Sequence, residues 1–440
     1  VIIPSIALQA GRVLETGLAD TTPRDASEPA AVARRLAVAG ELAVTDVDAA
    51  LGRGHNRTRI EELLTIAPCR VGGGIRDMGT AEYWLDKGAT RIVVGTAATP
   101  ELLRQLPRGR VLAALDVAPT GEVLVDGRRR GSGYSARAAV DRLRDGVAGF
   151  VLTLLDRPSG LAPDARDLID LIGGLVRAAH PARVTLAIPA LDASEVAALD
   201  ALGVDVQVGQ ALHDGTLQLA DAITASLRSP PPEGLWPTVV CDEHGVALGL
   251  CYSNAASVRE ALRVRRGIYA SRHDGRLVTH GDGGANWQDL LRVEADAARE
   301  TLRFTVRQHG GGFAEPDRWT SWGPGQGLPA LARRLMDRVG FAPVGSYTRR
   351  LLDDPKLLRA KLLEEARELA QARGADEIVW EAADVFYFTM VSLARAGVPL
   401  ADVGQELDRR ARKLVRRKGE TKPMPPPEFL EEDHRVEDEA

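Results

Sequence analysis

The sequence predicts a multidomain protein: a (β/α)8 barrel, then a small α+β module, then an all-α domain. Three observations carry this. Residues 1 to about 228 alternate short β-rich apolar runs with amphipathic helical stretches. A Ser-Pro-Pro-Pro run at 229–232 ends that rhythm with a stiff linker signature. Beyond Gly323-Pro-Gly-Gln-Gly327 the periodicity is helical alone. A chain of 440 residues has room for roughly two to four domains with cores of their own.

In the first segment the candidate strands are Val1–Ile6, Leu42–Val47, Cys69–Gly72, Arg91–Gly95, Val111–Asp116, Gly149–Leu154, Arg183–Ile188 and Val204–Val208. Each is followed by a helical pattern, such as Ala30–Ala39 or Leu168–Ala178. Eight such units suit a closed parallel barrel, with an open doubly wound sheet as the alternative. Gly72-Gly73-Gly74 and Gly95-Thr96 fall at strand C-termini, where freed backbone amides either cradle a phosphate or simply turn the chain.

In the second segment Trp236–Cys241, Ala247–Tyr252, Arg266–Ser271 and Arg303–Gln308 read as strands, with a helix near Ala256–Val264. The last segment opens with helices at Leu328–Val339 and Tyr347–Leu352 and closes with one within Val398–Leu414. Between them, Lys361 to Met390 reads as two helices joined at Arg373-Gly374-Ala375. Glu365 and Glu368 lie three apart, as do Glu381 and Asp384, so each pair shares a helix face. The second pair sits in a stretch apolar nearly all round, which predicts a buried helix. Clustered carboxylates repel by several kcal/mol at ~4 Å and an effective dielectric of about 20, so a positive partner is needed. An oxygen-only donor set favours Mg²⁺ or Mn²⁺ over zinc or copper. The plain alternative is a solvated acidic face balanced by Arg367 and Arg373. The run Arg409–Lys418 holds seven basic residues in ten. It reads equally as a solvated helix end or, through Arg416, Arg417 and Lys418, as a phosphate contact. Residues 419–440 are expected to be a disordered acidic tail.

A net charge of −5 gives no global attraction to nucleic acid or membrane. Three cysteines without metal spacing suit a reducing, cytoplasmic setting. No signal peptide and no apolar run of about 18 residues is evident.

Around 328–418, the ExxE and ExxD pairs together with Gly345-Ser346-Tyr347-Thr348, Lys361 to Glu368 and Glu381-Ala-Ala-Asp384 resemble a branch of the all-α nucleotide pyrophosphohydrolases. That branch is the phosphoribosyl-ATP pyrophosphohydrolase of histidine biosynthesis. The resemblance implies Mg²⁺-dependent hydrolysis at the α–β anhydride, with Glu365, Glu368, Glu381 and Asp384 as metal ligands. It implies Glu364 as a further ligand or as the base that orients water, and Lys361 as a neutralising cation. Ser346, Tyr347 and Thr348, with Arg416 and Arg417, are the implied contacts to a phosphoribosyl nucleotide.

Within 1–228, IIPSIAL near Val1, VTDVDAALG at 44–52 and the run at 71–98 resemble the ribosyl-imidazole carboxamide isomerase of the same pathway. That family uses one Asp at the end of the first strand and another at the end of the fifth or sixth. Here the first position is Ala7, the sixth-strand segment reads Thr153-Leu154-Leu155-Asp156-Arg157-Pro158, and the second phosphate loop reads Pro189-Ala190. Acid–base isomerisation needs a facing donor and acceptor, so the barrel is expected to be inactive. Asp48 and Asp156 remain as a residual pair, and Gly73, Gly74, Gly95 and Thr96 as a vestigial phosphate site.

Within 234–324, LGLCYSN, GIYASR, HGDGGANWQ and VEAD resemble phosphoribosyl-AMP cyclohydrolase, a zinc-hydroxide enzyme with three cysteine ligands. The aligned metal motif reads Asp296, Ala297, Ala298 and Glu300, and the later cysteine positions read Ala314 and Ser321. Zinc is therefore not expected; His273, His280 and His309 are candidate substitute nitrogen ligands, or plain structural histidines, and Cys241 and Cys251 read as strand residues.

The resemblances imply a phosphoribosyl-ATP diphosphatase carried behind two degenerate domains. The alternatives are hydrolysis of another nucleotide in a specialised pathway, or a non-catalytic scaffold for pathway enzymes. A homodimer held by the middle and C-terminal domains is expected, with the barrel a peripheral lobe removable by a start near Glu233.

Overall fold

Eight parallel strands close on themselves in the computed structural model, which describes residues 1–14, 28–155, 166–188, 192–228, 234–313, 315 and 318–413. Several sequence expectations fall outside these residues: Asp156 to Pro158, Pro189-Ala190, the linker 229–232, Ala314, Arg416 to Lys418 and the acidic tail.

The barrel strands are β1 (Ile2–Gln9), β2 (Leu42–Asp46), β3 (Cys69–Gly72), β4 (Arg91–Val94), β5 (Val111–Val117), β6 (Gly149–Leu154), β7 (Arg183–Ala187) and β8 (Asp205–Val208). Their order is β4-β3-β2-β1-β8-β7-β6-β5, and β4 pairs with β5 to complete the ring. The barrel, not the open sheet, is the observed form. β1 runs three residues past its expected end because an antiparallel partner, Arg12–Val13, extends it. A hairpin of Glu122–Val125 and Arg130–Ser135 follows β5. Its second strand, RGSGYS, is mostly exposed and carries no apolar alternation, so periodicity alone does not find it. The βα turns are closed by aspartates. Asp46 accepts from Ala49 N at 3.1 Å, Asp77 from Thr80 N at 2.7 Å, and Asp192 forms a capping box with Glu195.

The middle module has β9 (Trp236–Cys241), β10 (Ala247–Ser253), β11 (Ile268–Ala270), β12 (Leu277–Thr279), β13 (Gln288–Ala295), β14 (Leu302–Gln308) and one helix, α1 (Ala255–Val264). Four strands pair in the order β10-β9-β14-β13, and β11 pairs with β12 separately. The all-α domain follows as α2 (Gly327–Phe341), α3 (Tyr347–Asp353), α4 (Pro355–Gln371), α5 (Ala375–Ala396) and α6 (Leu400–Ala411). Among the described residues, no helix is long and apolar enough to cross a membrane.

Two expectations are corrected here. The first is that α5 would be buried all round. Phe388, Met390, Val391 and Ala394 do form the small core of this domain with Leu335, Leu351 and Leu358. The N-terminal half of α5 is bare: Val379 is 69% exposed, Trp380 71% and Phe386 50%. The reason is geometric, because the core with Leu335 of α2 and Leu351 of α3 is made by Leu358 in the N-terminal part of α4 and by the C-terminal part of α5 from Phe388 on.

The second is the barrel as a removable lobe. The core of the middle module incorporates Val38, Ala220, Ile223 and Leu227, all from the barrel segment. Arg259 reaches Asp221 at 2.6 Å, and Arg265 donates to the carbonyls of Arg34 and Arg35 at the end of the helix Pro29–Leu36. Arg110 of the barrel also donates to the carbonyl of Arg412, just past α6. A chain starting near Glu233 would thus expose one wall of the module's core, and deleting buried apolar side chains costs about 2–5 kcal/mol each.

Candidate active site

The hairpin of α4 and α5 sets the site. Pro355 opens α4 where its missing N–H costs nothing. Asp354 caps the helix by accepting from Lys356 N at 2.9 Å and Leu357 N at 3.0 Å. Ala372 to Gly374 turn the chain, and α5 ends on Gly397 with φ 67°, the left-handed position glycine fills readily. These termini fix the register in which Glu365 and Glu368 of α4 face Glu381 of α5.

An oxygen from each of Glu365, Glu368 and Glu381 lies within 4.8 Å of the others, and this is the metal-ligand cluster found among the described residues. Glu365 is buried, Glu368 exposed and Glu381 intermediate. Lys361, one turn upstream, reaches Glu364 at 2.8 Å and Glu365 at 3.5 Å. Burial raises the pKa of Glu365, Lys361 opposes the rise, and Asp384 and Glu368 add to it. Glu381 is likewise raised, by desolvation and then by Glu368, with which it shares a hydrogen bond, and by Glu365 and Asp384. Asp384 thus lies close enough to act on both, although it is not one of the convergent three. Among the described residues, Lys361 is the cation that opposes the rise at Glu365, and it does not cancel it.

A pH dependence follows. A carboxyl whose folded pKa is raised stabilises the protein below its unfolded pKa and loses that contribution as pH rises through the folded value. The metal-free protein is therefore expected to melt at a lower temperature as pH is raised from 4.5 towards neutrality through this pair. Excess Mg²⁺ at neutral pH should restore the loss. Thermal melts in chelator and in Mg²⁺ check this, and identical pH profiles in both would show that the cluster takes no cation.

Ser346 caps α3 by accepting from Arg349 N at 3.3 Å, and Tyr347 stands 45% exposed next to it. Thr348 is buried; its hydroxyl accepts from Arg338 at 3.0 Å and pairs with the Tyr387 hydroxyl at 2.9 Å. Thr348 therefore braces α2, α3 and α5 against one another. Sequence reading missed Tyr387 and Arg338 in this brace. Spacing shows only that Tyr387 lies one helical turn after Asp384; that it meets Thr348 and Arg338 depends on how the helices pack.

In the barrel, Gly73 and Gly74 have φ of 95° and 73°, and a Cβ on either would collide with the backbone of Asp46 or Ala49. They border a cavity of about 270 Å³ lined also by Asp46, His55, Arg57, Arg76, Thr80 and Trp84. Gly95 and Thr96 do not line it; the Thr96 hydroxyl accepts from Asp126 N at 3.2 Å, in the hairpin after β5. Asp48 accepts from Ala10 N at 2.6 Å and from the Asn56 amide at 2.9 Å, holding two loops together. Ala7, on β1 beside Thr45, offers no ionisable group. A carboxylate the sequence reading passed over, Asp116, stands near the C-terminal end of β5 and meets Arg128 of the hairpin at 3.1 Å.

In the middle module, Asp296 accepts from Glu300 N at 2.8 Å and Thr301 N at 3.0 Å. Burial opposes ionisation there, but these backbone donors outweigh it and hold the carboxyl below its usual pKa. His309 pairs with Asp289 at 2.9 Å and stacks on Trp287, while His280 stacks on Phe313. Among the described residues no histidine joins a metal-ligand cluster.

Comparison with known proteins matches each segment separately. Residues 1–161 match the family described as histidine biosynthesis protein, 249–317 that of phosphoribosyl-AMP cyclohydrolase, and 328–411 that of phosphoribosyl-ATP pyrophosphohydrolase. A histidine biosynthesis trifunctional protein of Komagataella pastoris is 41% identical over 236 residues, covering 54% of this chain and 27% of that one. A histidine biosynthesis bifunctional protein of Schizosaccharomyces pombe is 43% identical over 206 residues, covering 47% of this chain and 49% of its own. The chain thus spans about half or less of the length of these fungal relatives. An imidazole-4-carboxamide isomerase of Halobacterium salinarum is 34% identical over 241 residues, which are 51% of this chain and 96% of that enzyme. With a relative matched over nearly its whole length and the closed parallel barrel that such a match calls for, the chain belongs to the histidine biosynthesis protein family.

Proposed function

We propose that the all-α domain is a phosphoribosyl-ATP diphosphatase that works with Mg²⁺ or Mn²⁺, as a homodimer in the cytoplasm. The observation that carries this reading is the convergence of Glu365, Glu368 and Glu381 on one point, where burial and mutual repulsion raise the pKa of Glu365 and Glu381. An all-oxygen donor set of this kind fits a hard divalent cation. Glu365, Glu368 and Glu381 would hold it, with Asp384 completing the set. When bound, such a cation supplies Lewis-acid polarisation of the phosphoryl oxygens.

The protein groups have separate tasks. Glu364, exposed beside Lys361, orients the water and takes its proton. Lys361 offsets the charge that grows on the leaving phosphate. Ser346 and Tyr347 border the substrate, and Thr348 acts through the helices it braces. The water oxygen bonds to phosphorus at the α–β anhydride, the bridging P–O bond breaks, and pyrophosphate leaves. Arg416 and Arg417 follow α6 and are assigned to the substrate phosphates.

The test is release of pyrophosphate from phosphoribosyl-ATP by the purified chain, abolished by chelator and restored by Mg²⁺. Activity on a different nucleoside triphosphate alone would move the assignment to another pathway. Inertness on every nucleotide tried would favour a scaffold.

The two other domains are read as lacking their families' chemistry, because Ala7, Ala297, Ala314 and Ser321 stand at the reactive positions. The barrel cavity beside Gly73 and Gly74, lined by His55, Arg57 and Arg76, retains features that suit a phosphate. Elemental analysis of the purified chain is expected to find no stoichiometric zinc, and phosphoribosyl-AMP should be left with its purine ring closed. One tightly held zinc per chain would overturn the reading of the middle module.

A further inference from the structure

The turn from Asp296 to Thr301 joins β13 to β14, and by resemblance it is where a metal motif would lie. Its hydrogen bonds close it on itself. Asp296 N donates to Thr301 O at 2.9 Å, Arg299 N to Asp296 O at 3.2 Å, and the Asp296 carboxylate is taken by the N–H groups of Glu300 and Thr301. The turn places Arg299 at φ 62°, a left-handed conformation that a non-glycine residue keeps only when its surroundings hold it.

What holds it is the barrel. Arg299 Nη2 donates to Asp200 Oδ1 at 2.9 Å, and Nε is shared between Oδ1 at 3.1 Å and Oδ2 at 3.3 Å. Asp200 lies in the last turn of the barrel helix Ala193–Ala201. Both side chains are largely enclosed, 13% and 18% exposed, so water competes little for the pair. The Arg299 carbonyl in turn accepts from Arg228 N at 2.8 Å, which ties the end of the barrel segment to the same turn. Directly beyond lies the shared core of Val38, Ala220, Ile223 and Leu227 with the middle module.

We propose that the Asp296–Thr301 turn is an interdomain clasp: Arg299 fastens the middle module to Asp200 of the barrel, and the barrel's role in this chain includes completing that module's core. A barrel without its acid and base then still has a structural task. Two units joined in this way should unfold together.

The test uses the full chain. Arg299→Gly removes the guanidinium while suiting the left-handed backbone, so folding is preserved. It is expected to lower the melting midpoint by about 4 °C and to raise amide hydrogen exchange in β9 and α1. Arg299→Lys, with a single donor head, should fall between the two. Asp200→Asn should resemble Arg299→Gly, and the double variant should be no worse than the worse single one. Additive losses, or faster exchange confined to the turn itself, would overturn the clasp. So would separate melting of barrel and middle module, with Arg299→Gly shifting neither.

Discussion

Glu368→Gln is expected to slow pyrophosphate release from phosphoribosyl-ATP by about a thousandfold, corresponding to roughly 4 kcal/mol of lost transition-state stabilisation. The substitution keeps the shape of the side chain and removes its charge, so packing is not the cause. The same change should act in the opposite direction on the metal-free protein. Glu368 raises the pKa of both Glu365 and Glu381, and its charge is therefore unfavourable when no cation is present. In chelator the variant should melt at or above the wild-type temperature, and Mg²⁺ should stabilise it less. A residue that merely supports the fold would show the reverse pattern, with loss of stability and activity together. Asp384→Ala is expected to cost activity by a similar route. Persistence of the wild-type rate in either variant would show that the chemistry lies elsewhere.

How far the sequence alone reaches depends on what a residue's role rests on. The barrel strands could be placed because inward and outward positions of a closed parallel barrel are both largely apolar, as in CRVG of β3 and GFVLTL of β6. The carboxylates of α4 and α5 were legible because spacing on a helix fixes which side chains share a face. The Thr348 brace was not, since Arg338 and Tyr387 come from helices whose mutual angle no local pattern specifies. Asp116 was passed over because a lone Leu-Asp at a strand end looks like any other; only the hairpin that brings Arg128 to it marks the position. The joining of barrel and middle module was hidden by a misleading local signal. A Pro-rich run at 229–232 suggests independent lobes, whereas Ile223 and Leu227 just before it pack into the next domain's core. Linker chemistry speaks to the chain between two domains and not to the surfaces they press together.

Phe386→Glu is expected to turn a dimer into a monomer. Val379 and Phe386 are seven residues apart and so lie on one face of α5, roughly 140° round the helix from Glu381 in the case of Phe386. They form an apolar stripe turned away from the carboxylates, 69% and 50% exposed in the single chain. Ile378 and Trp380 are exposed too, but by their spacing they flank the carboxylate face, three and four residues before Glu381 and Asp384, and Met336, Val339 and Phe341 are exposed on α2. An exposed apolar stripe on a helix suits an association surface. A second copy is the fitting cover, because a helical hairpin with a stripe along one face packs against its own twofold image as a four-helix arrangement. A glutamate at position 386 would have to be dehydrated on association, a cost of several kcal/mol at the centre of an interface. In the separated chain it would stand in water, so the monomer's fold should be little affected. Light scattering should therefore give twice the chain mass for wild type and the single mass for the variant, with the barrel's circular dichroism unchanged. If wild type is itself monomeric, or if the variant keeps the dimer mass, the stripe is covered by something other than a second copy of this chain.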